Sequence, residues 1–214
     1  MTANTARPSQ KEFDPSNPLS SFVDVLRREV LHPVLFFAGI PRREGLRNPF
    51  LFALICIVIG AVLNAVVGLV GVQSSLQSSE GLLGPLGLSS RSFAGFVAYI
   101  VVLVVIGIIA LPVVAGIYQL LVRIAVGREN AGFSATFRVL SYAAVVNLVS
   151  WIPIIGLLLS LYSLYLQVVG LREVHETTTG RAILVFVLFL VAVIAVSVLI
   201  GIVVAAIFIT LYAM

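Results

Sequence analysis

His175 stands with Glu173 and Glu176 in the run Arg172-Glu173-Val174-His175-Glu176, residue types that can ligate a divalent metal. No second histidine or cysteine lies nearby, and His32 is far away in sequence. Thr177, Thr178 and Thr179 follow at once, so the pattern reads instead as a solvated loop whose threonine caps the next helix. Gly127-Arg128-Glu129-Asn130-Ala131-Gly132 has glycines, but it follows no strand and lacks the Gly-Lys-Ser/Thr of a phosphate loop. Cys56 is the single cysteine and sits in an apolar run without a polarising neighbour, which reads as packing rather than a nucleophile. No catalytic, cofactor-binding or metal-binding residue is expected, and the chain does not read as an enzyme.

The remaining chemistry is uncharged. Asn64 and Gly68 share a helical stripe with Ala53 and Gly60, and Asn147 shares one with Ala143 and Ser150. Gly156, Ser160, Ser163, Gln167 and Gly170 follow one another at spacings of 4, 3, 4 and 3. Inside a bilayer, small residues let helices approach closely and polar ones bond across the interface, so these stripes read as helix seams. A second reading makes Asn64, Gln119, Asn147, Tyr162 and Gln167 a polar path or ligand site. No Asp, Glu, Lys, Arg or His falls between the arginines that flank the apolar runs. That argues against a proton pump or proton-coupled carrier, which uses intramembrane ionisable groups.

The elements carrying these residues are apolar runs. Hydrophobic residues make up 60% of the 214 and charged ones only 10%. With a mean hydropathy of +1.16, this is the composition of a multi-pass, all-α membrane protein. Spans are expected at about 50–72, 93–122, 135–151, 154–171 and 182–212. The stretch from Ser134 to His175 is too long to cross once. As one helix, Val139–Leu171 would extend about 50 Å, against a hydrocarbon core about 30 Å thick. Trp151-Ile152-Pro153 is its natural break, so the stretch folds into a hairpin with an arginine at each end.

Charge then orients the bundle. With the N-terminus cytoplasmic and the C-terminus outside, only Arg91 of the 13 basic residues lies outside, in accord with the positive-inside rule. A re-entrant hairpin would give the same parity. Trp151 at the far interface favours full crossing and hence five spans. The net charge of +4 arises from these flanking arginines and is not a nucleic-acid signature.

Ahead of the spans, residues 1–19 are polar and proline-rich and are expected to be a disordered cytoplasmic tail. Residues 20–48 form an amphipathic cytoplasmic segment, with Phe22, Leu26 and Val30 at i, i+4 and i+8. Those three residues, with Trp151, are the expected interfacial contacts, although the same face would equally pack beneath the bundle. Residues 49–214 form the transmembrane domain.

Several short motifs occur in fixed order along this framework. They are His32-Pro33-x-x-Phe36-Phe37, Asn48-Pro49-x-x-Phe52-Ala53, Phe133-x-x-Thr136-Phe137 before Ser141-Tyr142, and Ile152-Pro153-x-x-Gly156. Tyr165, Gly170-Leu171-x-x-x-His175, Thr178 and Arg181-Ala182 follow. In this order the chain resembles the Yip-domain integral membrane proteins, the Ypt/Rab-interacting group, from about Phe22 onward. The resemblance implies five spans with a cytoplasmic N-terminus. Eukaryotic relatives are associated with Rab GTPases and membrane traffic. Here no Asp-Leu-Tyr-Gly-Pro precedes the first span, and Val146 stands where a proline would follow Ser141-Tyr142, so small-GTPase binding does not carry over. The expectation is a non-enzymatic scaffold that organises the bilayer or partners, either other membrane proteins or further copies of itself. A small permease or channel is the alternative. The arginine-rich composition points to a bacterial cytoplasmic membrane.

Overall fold

The computed structural model describes residues 12–41, 45–70 and 93–212. Among them the regular structure is helical throughout. Helix α1 (Pro18–Leu31) and the short α2 (Pro33–Gly39) precede α3 (Arg47–Val70) and α4 (Phe93–Ala125). Then come α5 (Phe133–Ala143), a 3₁₀ segment (Ala144–Leu148), α6 (Pro153–Val174) and α7 (Thr179–Tyr212). Among the described residues four helices are long and apolar enough to cross a membrane, at 47–67, 93–125, 154–174 and 179–206, and a shorter apolar helical stretch covers 133–148.

Local chemistry explains the boundaries. Proline lacks the N–H that a helix interior needs and disfavours helix in the residue before it. Pro33 accordingly ends α1 at Leu31 and opens α2, while Pro153 opens α6. Helix α3 begins at Arg47, and Pro49 falls in its first turn, where no intrahelical N–H partner is required. Pro112 lies inside α4, and the helix continues through it. Thr178 caps α7, its Oγ1 accepting the Arg181 N–H at 3.4 Å.

The run from Ser134 to His175 does fold back. Helix α5 and the 3₁₀ segment form one arm and α6 the other, with the bend at Val149–Ile152. Helix α6 packs on α2, α5 and α7, while α3 packs on α4, α5 and the 3₁₀ segment. Of the most apolar windows, 33% of α3 and 29% of α6 are buried, against 6% for α4 and α7. The first pair is therefore inner and the second peripheral. Exposed Val, Ile and Leu along α7 are what a lipid-facing helix requires.

The N-terminal segment differs from a free tail once it enters the described residues. Phe13 is buried against the bundle, and its N–H donates to the Tyr142 hydroxyl at 3.5 Å. The Asp14 N–H donates to Ser21 Oγ at 2.6 Å, which holds the segment against α1. Residues 1–11 lie outside the described residues.

Candidate functional site

Three constellations stand out. The first fastens the N-terminal platform, meaning residues 12–41, to the bundle. Arg138 is fully buried on α5. Its Nε donates to Glu12 Oε1 at 2.7 Å, one terminal nitrogen reaches the Gly45 carbonyl at 2.8 Å, and the other bonds Ser134 Oγ on its own helix. A buried guanidinium is tolerable only when paired and hydrogen-bonded. Here one side chain joins the N-terminal segment, the chain entering α3, and α5.

Beside this clamp lies an aromatic seam. The Phe52 ring centroid is 6.1 Å from Phe13, 5.1 Å from Phe22 and 5.1 Å from Tyr142, and Phe36 meets Tyr142 edge-on at 5.2 Å. Phe37 reaches Gly170, where an added methyl would sit 2.6 Å from Val139 Cγ1 and 3.2 Å from the Phe37 ring. Helix α1 presses Val25 and Glu29 into the same seam, and both are fully buried. Neither carboxylate oxygen of Glu29 has a hydrogen-bond partner among the described residues. Burial therefore holds this carboxyl well above the ordinary range and favours the neutral acid.

The interfacial expectation for α1 is redistributed by this docking. Phe22 stacks on Phe52 and Leu26 is half-buried against the core, leaving Val30 exposed. The outward apolar residues are Leu19, Val23, Val30 and Leu31, with Leu35 on α2. Trp151 is half-buried at the hairpin bend, its indole N–H donating to the Leu148 carbonyl at 2.9 Å.

The second constellation surrounds His175, which is buried rather than in a solvated loop. Its Nδ1 accepts the Ala131 N–H at 3.1 Å. The neutral ring then carries its proton on Nε2, which donates to Thr136 Oγ1 at 3.0 Å. Thr136 donates to Gln119 Oε1 at 2.6 Å, and Gln119 Nε2 donates to Asn130 Oδ1 at 2.8 Å. Asn130 Oδ1 also accepts the N–H of Gly132, whose φ of +89° suits glycine. The relay ties the end of α6 to α4 and to the loop before α5. Glu173 is engaged by Arg172 at 2.5 Å, and no group of three or more potential metal ligands occurs among the described residues.

The third constellation is a cleft of about 450 Å³ between α3, α4, the 3₁₀ segment and α6, lined in part by Asn64, Asn147, Ser150, Ser163 and Gln167. Of the expected polar-path residues, Asn64, Asn147 and Gln167 are thus brought together. Gln119 belongs to the His175 relay, and Tyr162 donates to the Val30 carbonyl at 2.6 Å on the platform. Gly156 lies at the bend, where an added methyl would meet the Ser150 carbonyl at 2.7 Å, and Ser160 is exposed. Gly68 lies within α3.

Glu12 and Glu29 were not singled out from the sequence, Arg138 was read only as the charge at one end of the hairpin, and His175 and Gln119 were singled out for separate roles rather than as partners in one relay. An arginine inside the predicted 135–151 span was the available signal for the clamp, and Glu29 on the apolar side of α1 was the signal for the seam. Phe36, Phe37, Phe52, Tyr142 and Gly170, all from the quoted motifs, converge on the platform seam. Thr136 and His175, also from those motifs, meet in the relay. A match to the Yip1 domain family spans residues 28–201. No curated protein and no solved structure matches the chain.

Proposed function

The chain belongs to the Yip1 domain family, and on that premise we propose that it is a non-enzymatic integral membrane scaffold whose cytoplasmic platform organises the bilayer surface or protein partners. The supporting observation is the platform itself. Arg138 and the aromatic seam fasten residues 12–41 to the bundle, while Leu19, Val23, Leu31 and Leu35 point outward. An apolar face held rigidly beside a membrane domain can lie in the interface or receive an apolar partner.

The topology that goes with this reading is five spans with the N-terminus inside, in a bacterial cytoplasmic membrane. Helix α5 and the 3₁₀ segment comprise 11 and 5 residues. Together they extend about 27 Å at the usual rises, close to the roughly 30 Å of a hydrocarbon core. The organisation is then a cytoplasmic segment over 1–48, whose residues 12–41 form the docked platform, followed by the transmembrane domain over 49–214.

Replacing Leu19, Val23, Leu31 and Leu35 together with Ser tests the proposal in the full chain. Crosslinking in native membranes should lose defined partners or oligomers while the bundle stays folded. Unchanged crosslinks would overturn the scaffold reading. Solute flux through reconstituted vesicles that Asn147→Leu abolishes would replace it with the permease.

A further inference from the structure

We propose that the cleft between α3, α4, the 3₁₀ segment and α6 binds a neutral, hydroxyl-bearing lipid of the diacylglycerol class, drawn sideways from the bilayer. The inference is independent of the platform, so either can fail without the other.

The route of entry follows from exposure. Ile106 lines the cleft and is 45% exposed, on a helix whose neighbouring Val105 and Ile109 are also exposed. In a membrane-embedded bundle that rim faces acyl chains, so the occupant enters from lipid. Leu103, Ala110, Leu111 and Val114 continue the same wall and offer an apolar track for a chain. The volume lies within the range of ligand-binding pockets.

The head chemistry follows from what lines the other wall. Among the described residues no Asp, Glu, Lys, Arg or His lines the cleft, so a phosphate would be desolvated with no opposite charge to meet it. The amides nevertheless keep unused capacity. The Asn147 side chain makes no hydrogen bond among the described residues. Among the described residues Asn64 uses only Nδ2, toward Gly60 O at 2.9 Å and Ser150 Oγ at 3.4 Å. Ser150 Oγ in turn donates to the Asn147 carbonyl at 3.1 Å, which draws the two asparagines around one point. In hydrocarbon such groups need partners. A ligand hydroxyl supplies both roles, donating to Asn64 Oδ1 and accepting from Asn147 Nδ2. A hydrocarbon tail alone supplies neither.

Depth agrees with that class. Asn64 is 17 residues beyond Arg47, or about 25 Å along α3, level with the bend at Ser150. The polar point thus sits near the far edge of a core about 30 Å thick. A hydroxyl head would occupy it with its chains running back along α4.

The test uses the full chain in phosphatidylcholine nanodiscs doped with photoactivatable diacylglycerol, or with phosphatidic acid bearing the same chains. Diacylglycerol should label peptides covering 103–114 and 143–150 well above phosphatidic acid. Asn147→Leu breaks no described side-chain hydrogen bond, so the fold is retained. Loss of one hydrogen bond to the ligand should lower labelling about five- to tenfold. Ala110→Leu, which fills the apolar wall, should lower it similarly, whereas Leu199→Ala on the outer face of α7 should leave it unchanged. Equal labelling by both lipids would overturn the proposal, as would full labelling in both cleft variants. Suppression by excess glycerol would assign the cleft to a free polyol, and a cleft-to-cleft protein crosslink in place of lipid would assign it to a second copy.

Discussion

Glu29 offers the sharpest test of how the platform is held. Its carboxyl is fully buried, neither oxygen is bonded among the described residues, and burial alone raises its affinity for a proton above the ordinary value of 4.5. Its charge is felt by the Cys56 thiol and the Tyr142 and Tyr162 hydroxyls. Arg138, the buried cation of the clamp, is engaged by Glu12 at 2.7 Å. An acid with a raised docked value stabilises docking fully below 4.5, and that contribution is lost as pH rises through the docked value. Between the two values, the free energy for undocking α1 should fall by about 1.4 kcal/mol per pH unit. In Glu29→Gln that slope should vanish. Glu29→Leu removes the unsatisfied group and should strengthen docking at neutral pH by about 1–3 kcal/mol.

Hydrogen exchange of peptides covering residues 18–31, in nanodiscs between pH 5 and 8, measures this after correction for intrinsic exchange. The wild type should open about tenfold more per pH unit, and Glu29→Gln should be flat. A flat wild type, or a slope that persists in Glu29→Gln, would rule out Glu29 as the titrating group that controls docking.

Three other perturbations probe the remaining framework. Arg138→Leu removes the guanidinium bonds to Glu12 and the Gly45 carbonyl and should destabilise by on the order of 3 kcal/mol, read as protease sensitivity of the N-terminal segment. Gly170→Val places methyl groups against Val139 and Phe37. It should cost about 1–3 kcal/mol, visible as a lowered thermal midpoint in detergent. In a Cys56→Ala background, Ser150→Cys should be labelled by membrane-impermeant reagent from outside. Labelling only from the cytoplasmic side would make the hairpin re-entrant.

Chain order alone was enough for the helices and their approximate ends. Long apolar runs bounded by arginine and proline admit few other structures, and the length of Ser134–His175 demanded a hairpin whatever it packs against. The uncharged polar residues themselves were legible, because amides in an apolar run stand out. Which amides meet was not legible. Gln119 and Tyr162 share the composition of the cleft residues, yet they turn toward His175 and toward the platform. Those partners depend on the rotation and depth of each helix within the bundle. The periodicity of α1 located an apolar face, but docking put Phe22 inward and left Val30 exposed. The arginine at 138 read as a span-end charge, and only folding gave it Glu12, 126 positions away. Apolar run length is a property of neighbouring residues, so the sequence determines which stretches form apolar helices of membrane-spanning length. A buried charge is stable only with its partners in place, and those partners are assembled by tertiary structure alone.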